Sequence, residues 1–403
     1  MTNDGISISP FTPSQPVDYD FFVGRKENIN RIEHRIKYCI QANQVQIVFI
    51  RGKQGIGKTS LAKYCNIYMR AEYMMQGFHI LLAGNDGPKS INDFYKIVFD
   101  QIKHQARKAG LTNKITDFLS DIIDEVSVKI NNINIKSSNN KEKLENLSLV
   151  SFIDFLEKFY EKLNNEIDRT GLLLVLDEID GVAECPYFAN FIKCLSDYVN
   201  VNKINLPILI LICGTSSKYA SITNNLERTA DYMDPIDISK LSDIDVGSFF
   251  RISFEKLMLP IRQKALDRIV AFADGSPRLM HLIGDEIYLR ARSNVHIDDN
   301  IACVGISEAA KTWGNKYAPL RLREIIEDEY YHKVILAIDD LDIEMKLVES
   351  EIEKKIGRKY LKSIKDFIIS LNKLELLKRS DDKGIWVFTN RLISLYLQVC
   401  LKK

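Results

Sequence analysis

Short apolar runs alternate with longer segments of helical periodicity through the first 240 residues. Five of the runs have the length expected of strands: VQIVFI, FHILLAG, GLLLVL, LPILILIC and a shorter one within YMDPIDIS. Between them, apolar residues recur three and four positions apart, as in Ile29, Ile32, Ile36 and Ile40, which predicts amphipathic helices. Apolar strands that alternate with helices predict a parallel sheet, so the fold class is α/β.

The pattern changes after Leu241, where two strongly helical segments follow one another without a strand between them. The tail then reads as helices, a hairpin with an Asp-Asp-Lys-Gly turn in LLKRSDDKGIWVFTN, and a last helix. A second hairpin with a loop is predicted for VSVKINNINIKSSNNKEKLEN, where polar and apolar residues alternate. We therefore predict four segments: an extended N-terminal arm (1–20), an α/β core (21–240), a small helical domain (241–304) and a tail domain (305–403).

Composition narrows the function classes. The chain has 403 residues, 46% hydrophobic and 27% charged, and its net charge of +1 gives no global reason to bind nucleic acid or membrane. Seven cysteines without a C-x-x-C pair argue against a disulfide framework or a zinc site, and six histidines form no metal-binding spacing, which favours surface or packed positions. No signal peptide or run of ~20 apolar residues is present, so we expect a cytoplasmic protein without a membrane partner.

The first strand is followed by a glycine-rich turn and a helix, and the turn fits G-x-x-x-x-G-K-[ST]. Glycines let backbone N–H groups surround phosphates, and the helix that follows directs its positive end at them. The pattern assigns the β- and γ-phosphates of ATP to Lys58 and Mg²⁺ to the hydroxyl of Thr59. The predicted nucleotide-binding residues of this turn are Gly52, Gly55, Gly57, Lys58, Thr59 and Ser60.

Two carboxylates follow the third predicted strand, in LLLVLDEID. Asp177 stands where a parallel sheet presents its ligand-binding edge, and it can hold Mg²⁺ through water. Glu178 can act as the general base that polarises the attacking water. An acidic cap on a solvated loop is the alternative for this pair, and the upstream glycine turn favours the metal site instead.

A glycine turn, an added strand and Asp-Glu on the third strand together resemble P-loop ATPases of the AAA+ and STAND type. FVGRKENINRI is similar to the F-V-G-R box that precedes the core in origin-initiator ATPases and STAND ATPases. That resemblance implies that Val23 and Gly24 lie near the adenine. The chain departs from the family at Asn28, where the box usually has glutamate.

The resemblance also implies two residues that respond to the γ-phosphate. ICGTSS, at the end of the fourth strand, is similar to the sensor-1 position, with Thr215 as the first candidate and Ser216 as the second; a strand-end cap is the alternative. DGSPRLMHLIGDE resembles the sensor-2 segment of the family's helical lid, which would cover residues 241–304. Arg278 would then contact the γ-phosphate, or else pair with an acidic residue of its own helix, Asp285 or Glu286.

Arg228 precedes the fifth strand, where the family places an arginine that reaches into the nucleotide site of a neighbouring subunit. The resemblance therefore implies a homo-oligomer with a trans arginine finger, which is worth about 10³–10⁵ in rate. A surface arginine, or one paired with Glu227 or Asp231, is the alternative.

The order of elements in the tail is similar to the C-terminal winged helix of origin-initiator relatives. Residues 354–379 carry nine basic and two acidic residues, a net charge of +7 that suits DNA phosphates. Solvated lysines, or a winged helix that binds protein, are the alternatives. The predicted DNA-binding residues are Lys355, Lys359, Lys362 and Lys365, and the predicted core face of the same segment is Ile364, Phe367, Ile368 and Leu371.

These patterns predict a Mg²⁺-dependent switch ATPase that binds and hydrolyses ATP, oligomerises, and acts on DNA or on a partner effector protein. Such a protein loads, regulates or senses on behalf of another factor, for example in replication, transposition or antiviral defence. The alternative is a nucleotide-gated protein-binding module whose hydrolysis is slow or vestigial.

Overall fold

The computed structural model describes residues 9–82, 87–136, 141–226, 228–291, 296–338 and 346–401, without the side chains of residues 129–136 and 141–147. The chain forms two compact units. The core unit contains Asp18–Asp20 and Arg25–Ser239, and the helical unit contains the described residues of Met1–Val17, Phe21–Gly24 and Lys240–Lys403.

A five-stranded parallel sheet lies at the centre of the core unit, as predicted, with strand order β2-β3-β4-β1-β5. Its strands are β1 Gln46–Arg51, β2 Gln76–Leu81, β3 Leu172–Asp177, β4 Ile208–Gly214 and β5 Asp234–Asp237. The register pairs Arg51 with Gly214 and Leu81 with Asp177, so the C-terminal ends of β1 to β4 share one edge. Every residue of β3 and β4 is buried, which explains why these two strands are continuous apolar runs in the sequence.

The helices of the core unit are α1 Lys26–Ala42, α2 Lys58–Tyr73, α3 Ile91–Lys108, α4 Asn113–Lys136, α5 Lys141–Ile167, α6 Pro186–Val201 and α7 Ser216–Asn225. The predicted hairpin in VSVKINNINIKSSNNKEKLEN is wrong, because α4 continues through Lys136 and α5 begins at Lys141; residues 137–140 lie outside the described part. Val126, the first residue of the stretch, continues the helical pattern of the residues before it, since Ile115, Leu119, Ile122 and Val126 are all buried in the core cluster. Burial along this helix face outweighs the local alternation.

The helical unit contains α8 Asp243–Lys256, α9 Gln263–Ala273, α10 Pro277–Ala291, α11 Asp299–Tyr317, α12 Leu320–Glu327, α13 Glu329–Ala337, α14 Glu349–Ile356, α15 Leu361–Lys373 and α16 Leu392–Leu401. Three short strands, β6 Lys346–Val348, β7 Leu377–Arg379 and β8 Ile385–Phe388, form an antiparallel sheet in the order β6-β8-β7. The hairpin β7-β8 was predicted and β6 was not. The boundary predicted between residues 304 and 305 falls within α11, and one apolar cluster extends from α8 to α16.

The N-terminal arm places one buried aromatic side chain, which the sequence pattern does not single out, in the apolar cluster of the helical unit. Phe11 is 3% exposed and packs against Phe249, Phe250 and Phe254 of α8. A side chain at Gly284 of α10 would place its Cβ 2.3 Å from the Phe11 ring, so the ring occupies the space above that glycine.

Within the described residues, no group of three or more metal-ligating side chains is present and no helix is long and apolar enough to cross a membrane. All seven cysteines are free thiols; three of them are buried.

Candidate functional site

The glycine turn between β1 and α2 forms a cradle of backbone amides. Gly55 and Gly57 have φ angles of 78° and 101°, in the left-handed region that favours glycine. Gly57 is the N-cap of α2, so the backbone amides of the first helical turn point toward the loop. A Cβ at Gly52 would lie 2.8 Å from the side chain of Ile56, and therefore only glycine fits there without a shift.

The side chain of Lys58 folds back over this loop. Its Nζ donates hydrogen bonds to the carbonyl oxygens of Gly52, at 3.0 Å, and of Lys53, at 2.9 Å. The ammonium group is thus held above the loop by neutral acceptors. A phosphate in the loop would offer charged acceptors, which form the stronger hydrogen bonds.

Asp177 ends β3 and is only 3% exposed. One carboxylate oxygen accepts a hydrogen bond from Nε2 of His79 at 3.1 Å, the other accepts from the backbone amide of Glu178 at 2.9 Å, and the side chain of Thr59 donates a third. Burial raises the pKa of Asp177, but these hydrogen bonds lower it by more, so the net pKa lies below its usual value. A carboxylate beside a threonine hydroxyl is a hard oxygen donor set that fits Mg²⁺.

Glu178 differs from its neighbour in both backbone and exposure. Its φ and ψ of 53° and 50° lie in the left-handed region, and its side chain is exposed. Such a conformation costs about 1–3 kcal/mol in a non-glycine residue. The turn ends the strand and begins a short 3-10 helix at Ile179, which separates the exposed Glu178 from the buried Asp177.

Thr215 follows β4 as the N-cap of α7. Its hydroxyl accepts from the amide of Lys218 at 3.4 Å and shares a 2.8 Å hydrogen bond with Ser217. The capping contact is therefore present, and Ser216 is the first residue of the helix. Lys218, which the sequence analysis did not select, reaches the loop after β3, where its Nζ is 3.0 Å from Glu184.

Arg228 is exposed and has a φ of 64° immediately before the short helix Thr229–Tyr232. Among the described residues, no ion pair joins its guanidinium to Asp231, one of the two partners considered from the sequence. The other, Glu227, lies outside the described residues.

The F-V-G-R box is divided between the two units. In the core unit, Arg25 donates to the carbonyl oxygen of Ile56 in the glycine turn at 2.9 Å and to that of Ser239. Asn28 donates to the carbonyl oxygen of Asp237 at 3.1 Å, so the residue that departs from the family still makes a polar contact with β5. Arg25 of the box therefore connects the glycine turn, at Ile56, with Ser239, the last residue of the core unit.

The other predicted nucleotide contacts belong to the helical unit. Val23 packs against its apolar cluster, and Gly24 has a φ of 69° with no room for a Cβ beside Asp245. Arg278 lies in the first turn of α10, and its guanidinium carbon is 5.1 Å from the centroid of the Tyr317 ring.

The acidic residues considered as alternative partners of Arg278 have other contacts. Glu286 pairs with Arg290 at 2.8 Å, and Asp285 accepts a hydrogen bond from Ser9 at 3.0 Å.

The basic residues of the tail divide into two groups. Lys355, Lys359, Lys362 and Lys365 are all exposed, and Lys355 differs from the other three in that its Nζ donates to the carbonyl oxygen of Ala337 at the end of α13. The predicted core face of α15 is confirmed, since its four apolar residues are buried: Ile364, Phe367, Ile368 and Leu371.

A second lysine cluster surrounds Tyr360 at the start of α15. Lys333 donates to the Tyr360 hydroxyl at 2.6 Å, and the Nζ atoms of Lys333 and Lys359 lie 4.8 and 5.2 Å from the ring centroid. The hydrogen bond from Lys333 lowers the pKa of Tyr360. Two ammonium groups therefore lie near one aromatic ring at the start of α15.

No protein-family model and no curated protein matches the chain. The ORC2 protein of Aeropyrum pernix, solved as ADPNP-ADP complexes, is 12% identical and superposes with a TM-score of 0.53 over 99% of this chain and 96% of that one. A Walker-type ATPase of Pyrococcus abyssi is 17% identical over 94% and 96% of the chains (TM-score 0.48), and Cdc6p of Pyrobaculum aerophilum is 12% identical over 96% and 98% (TM-score 0.48). The chain therefore has the P-loop fold seen in the ORC2 protein.

Proposed function

We propose that the protein is a Mg²⁺-dependent ATPase of the AAA+ and STAND type that works as an oligomeric switch. The observation that carries this proposal is the buried carboxylate of Asp177 at the end of β3, which lies at the same sheet edge as the glycine turn and interacts with Thr59 at the start of α2. Two strands separated in sequence bring a metal-binding hydroxyl and carboxylate together beside a phosphate-binding loop. The ORC2 protein with this fold was solved with nucleotides, which agrees with the proposal.

In this mechanism, the amides of the glycine turn and Lys58 hold the phosphates of ATP. Thr59 and, through water, Asp177 would hold Mg²⁺, which neutralises charge on the β- and γ-phosphates. Glu178 orients the attacking water and accepts its proton while the bond between the γ-phosphorus and the β-γ bridging oxygen breaks, which yields ADP and phosphate. Its exposed position beside the buried metal ligand suits this role.

Other residues complete the site in the proposal. Val23 and Gly24 lie near the adenine, and Arg278 contacts the γ-phosphate from the helical lid. Thr215 can contact the γ-phosphate only after its hydroxyl gives up the hydrogen bond that it accepts from the Lys218 amide at the start of α7. Arg228 enters the site of a neighbouring subunit, which its exposure allows.

Two variants test the separation of binding from turnover. Lys58→Ala should abolish binding of a fluorescent ATP analogue, whereas Glu178→Gln should keep binding and lose phosphate release. Glu161→Gln, an exposed acid on α5, is the matched control. If Glu178→Gln hydrolyses ATP at the wild-type rate, the general-base assignment is wrong.

A mixing experiment tests the shared site. Arg228→Ala and Glu178→Gln should each bind ATP without turnover when alone. In a mixture, some interfaces combine an intact Glu178 with an intact Arg228 of the neighbour, so activity should return. No recovery at concentrations where the wild type oligomerises would contradict the trans arginine finger.

One observation favours the second candidate, a nucleotide-gated protein-binding module with slow hydrolysis. The Thr215 hydroxyl is engaged by Lys218 and Ser217, so the proposed sensor is not presented freely. A wild-type turnover no faster than that of Glu178→Gln, together with tight ATP binding, would select this candidate.

We further propose that the tail is a winged helix that contacts DNA phosphates through Lys359, Lys362 and Lys365. Lys355 is left out because it caps α13. Reversal of the three lysines to Glu should lower the slope of log affinity against log salt by about 3, from ~0.9 for each phosphate contact. The control reverses three exposed lysines of the core unit: Lys96, Lys108 and Lys158. A wild type without salt-dependent DNA binding would assign the tail to an effector protein instead.

For the process, replication, transposition and antiviral defence are the three candidates. Glu178→Gln should hold the ATP state, so affinity capture of this variant from its host, compared with Lys58→Ala, identifies partners that depend on bound ATP.

A further inference from the structure

His79 is the one histidine among the described residues that forms an ion pair or hydrogen bond with a predicted metal ligand. It lies on β2, the edge strand beside β3, two residues before the Leu81–Asp177 pair of the register. Its Nε2 is 3.1 Å from Oδ2 of Asp177, and the ring is about one-fifth exposed. Because the carboxylate is ionised, the nitrogen donates and the oxygen accepts.

The backbone of His79 is fixed from the outer side of the sheet. Gln105 of α3 accepts from the His79 amide at 2.9 Å and donates to the His79 carbonyl oxygen at 2.6 Å. Gln101, one turn earlier, makes the same two contacts with Leu81 at 2.9 and 2.8 Å. These side-chain amides satisfy the backbone N–H and C=O groups on the free edge of β2, and they fix the position of the His79 backbone.

The two oxygens of Asp177 are therefore oriented by different elements. Oδ1 is held by the amide of Glu178 in its own turn, and Oδ2 is held by His79 from the neighbouring strand. Without the imidazole, the carboxylate would keep the amide of Glu178 and the side chain of Thr59, and it would lose the only one of these three donors that comes from the neighbouring strand. Outer donors of this kind orient metal ligands, and their loss usually weakens metal affinity.

We infer that His79 is a positioning residue that orients the Asp177 carboxylate for Mg²⁺. The inference rests on the proposed function, because it concerns the metal site of the proposed ATPase. It adds a residue on β2 to a site otherwise built from the glycine turn and the end of β3. A purely structural role would instead affect folding stability alone.

The test is a Mg²⁺ titration of nucleotide binding, with a fluorescent ATP analogue at fixed concentration and with EDTA as the zero point. His79→Leu keeps the bulk and removes the donor, whereas His79→Gln can place an amide N–H near the position of Nε2. The asparagine side chain in His79→Asn is one carbon shorter than that of glutamine, so its amide does not reach the position of Nε2. This variant replaces His79→Leu as the variant without the donor if the leucine variant does not fold. His104→Leu on the exposed side of α3 is the matched control.

We expect His79→Leu to raise the half-saturating Mg²⁺ concentration about 10- to 100-fold, with nucleotide binding in EDTA unchanged. His79→Gln should restore the wild-type midpoint, and His79→Asn should behave as the leucine variant does. A wild-type midpoint in His79→Leu, or an equal shift in the leucine and glutamine variants, would overturn the inference.

The wild-type titration separates this inference from the proposed function. If the wild type binds no nucleotide, or binds it equally with and without Mg²⁺, the proposed metal site itself fails. If the wild type responds to Mg²⁺ and the His79 variants follow it unchanged, only the role of His79 fails.

Discussion

The attachment of the N-terminal arm to the helical unit can be broken at a single ring. Phe11 is 3% exposed, and its ring centroid lies 5.0 Å from that of Phe254 and 5.9 Å from that of Phe249. Truncation of a fully buried phenylalanine to alanine typically costs about 3–5 kcal/mol of unfolding free energy. If Phe11→Ala releases the arm, the loss of unfolding free energy for the rest of the unit cannot exceed the free energy of docking.

The facing position supplies the partner for a double-mutant cycle. In Gly284→Ala, the new Cβ would lie 2.3 Å from the Phe11 ring, so the ring must leave its place and most of the same free energy is lost. In the Phe11→Ala background that clash is absent. Alanine is favoured over glycine in a helix interior by about 1 kcal/mol, so the second substitution should then be neutral or stabilising.

Urea denaturation of the four proteins gives the cycle, and hydrogen exchange of residues 9–17 reports docking directly. The Thr12 amide donates to Nδ1 of His281 at 3.0 Å, so both single variants should lose its protection. Gly247→Ala in α8 is the control, because its Cβ would make only an ordinary 3.8 Å contact with Val270. Additive effects of Phe11→Ala and Gly284→Ala would refute the assignment of Phe11 to this space.

Two further predictions concern a strand end and an ion pair. In Gly214→Ala, at the end of β4, the new Cβ would lie 2.7 Å from the ring of Phe49 in β1. Thermal melting should therefore show a lower Tm, and titration should show weaker nucleotide binding. An unchanged nucleotide affinity would mean that this strand end does not influence the glycine turn. Hydrogen bonds from Arg268 and Lys264 lower the pKa of Asp299 to about 2, so its stabilising contribution is present above its ordinary pKa of about 4 and is lost as the pH falls through about 2. The difference in unfolding free energy between wild type and Asp299→Asn should therefore shrink in acid, and a constant difference from pH 6 to pH 2 would contradict this.

Features that depend on contiguous residues could be predicted from the sequence. The glycine turn and the Asp-Glu pair each lie at the end of an apolar run, and the strand ends of a parallel sheet necessarily meet at one edge. For that reason the sequence assigns Thr59 and Asp177, which are separated by more than a hundred residues, to one site, and the two side chains interact in the structure.

Features that depend on a partner from another element could not be predicted in this way. His79 alternates with Phe78 and Ile80 in β2, and nothing in that pattern indicates that its ring meets Asp177. Phe11 lies in a polar, proline-containing arm, and the aromatic side chains that cover it belong to α8, over two hundred residues later. The alternation after Val126 fits either a strand or a helix, and only packing decides between them.

Backbone strain adds a signal that the sequence does not carry. Among the described residues, ten non-glycine residues have positive φ, and seven of them follow the C-terminal end of a helix: Asn43, Met74, Asp168, Lys203, Met258, Asp274 and Glu375. A left-handed residue is common at that position, so these seven are explained by helix termination. The other three, Arg25, Glu178 and Arg228, precede helices, where no such conformation is required.

These three residues are the arginine that fastens the glycine turn, the proposed general base and the proposed trans finger. Two of them, Glu178 and Arg228, are assigned to the site in the proposal, so strain that helix termination does not explain coincides with proposed site residues, as expected where a fold holds side chains for function. The coincidence has a consequence for Glu178. A glycine there should relieve the strain and raise stability while removing the base, whereas Glu178→Gln should keep the strain. If Glu178→Gly is no more stable than Glu178→Gln, the left-handed turn after β3 is not a strained feature of the site.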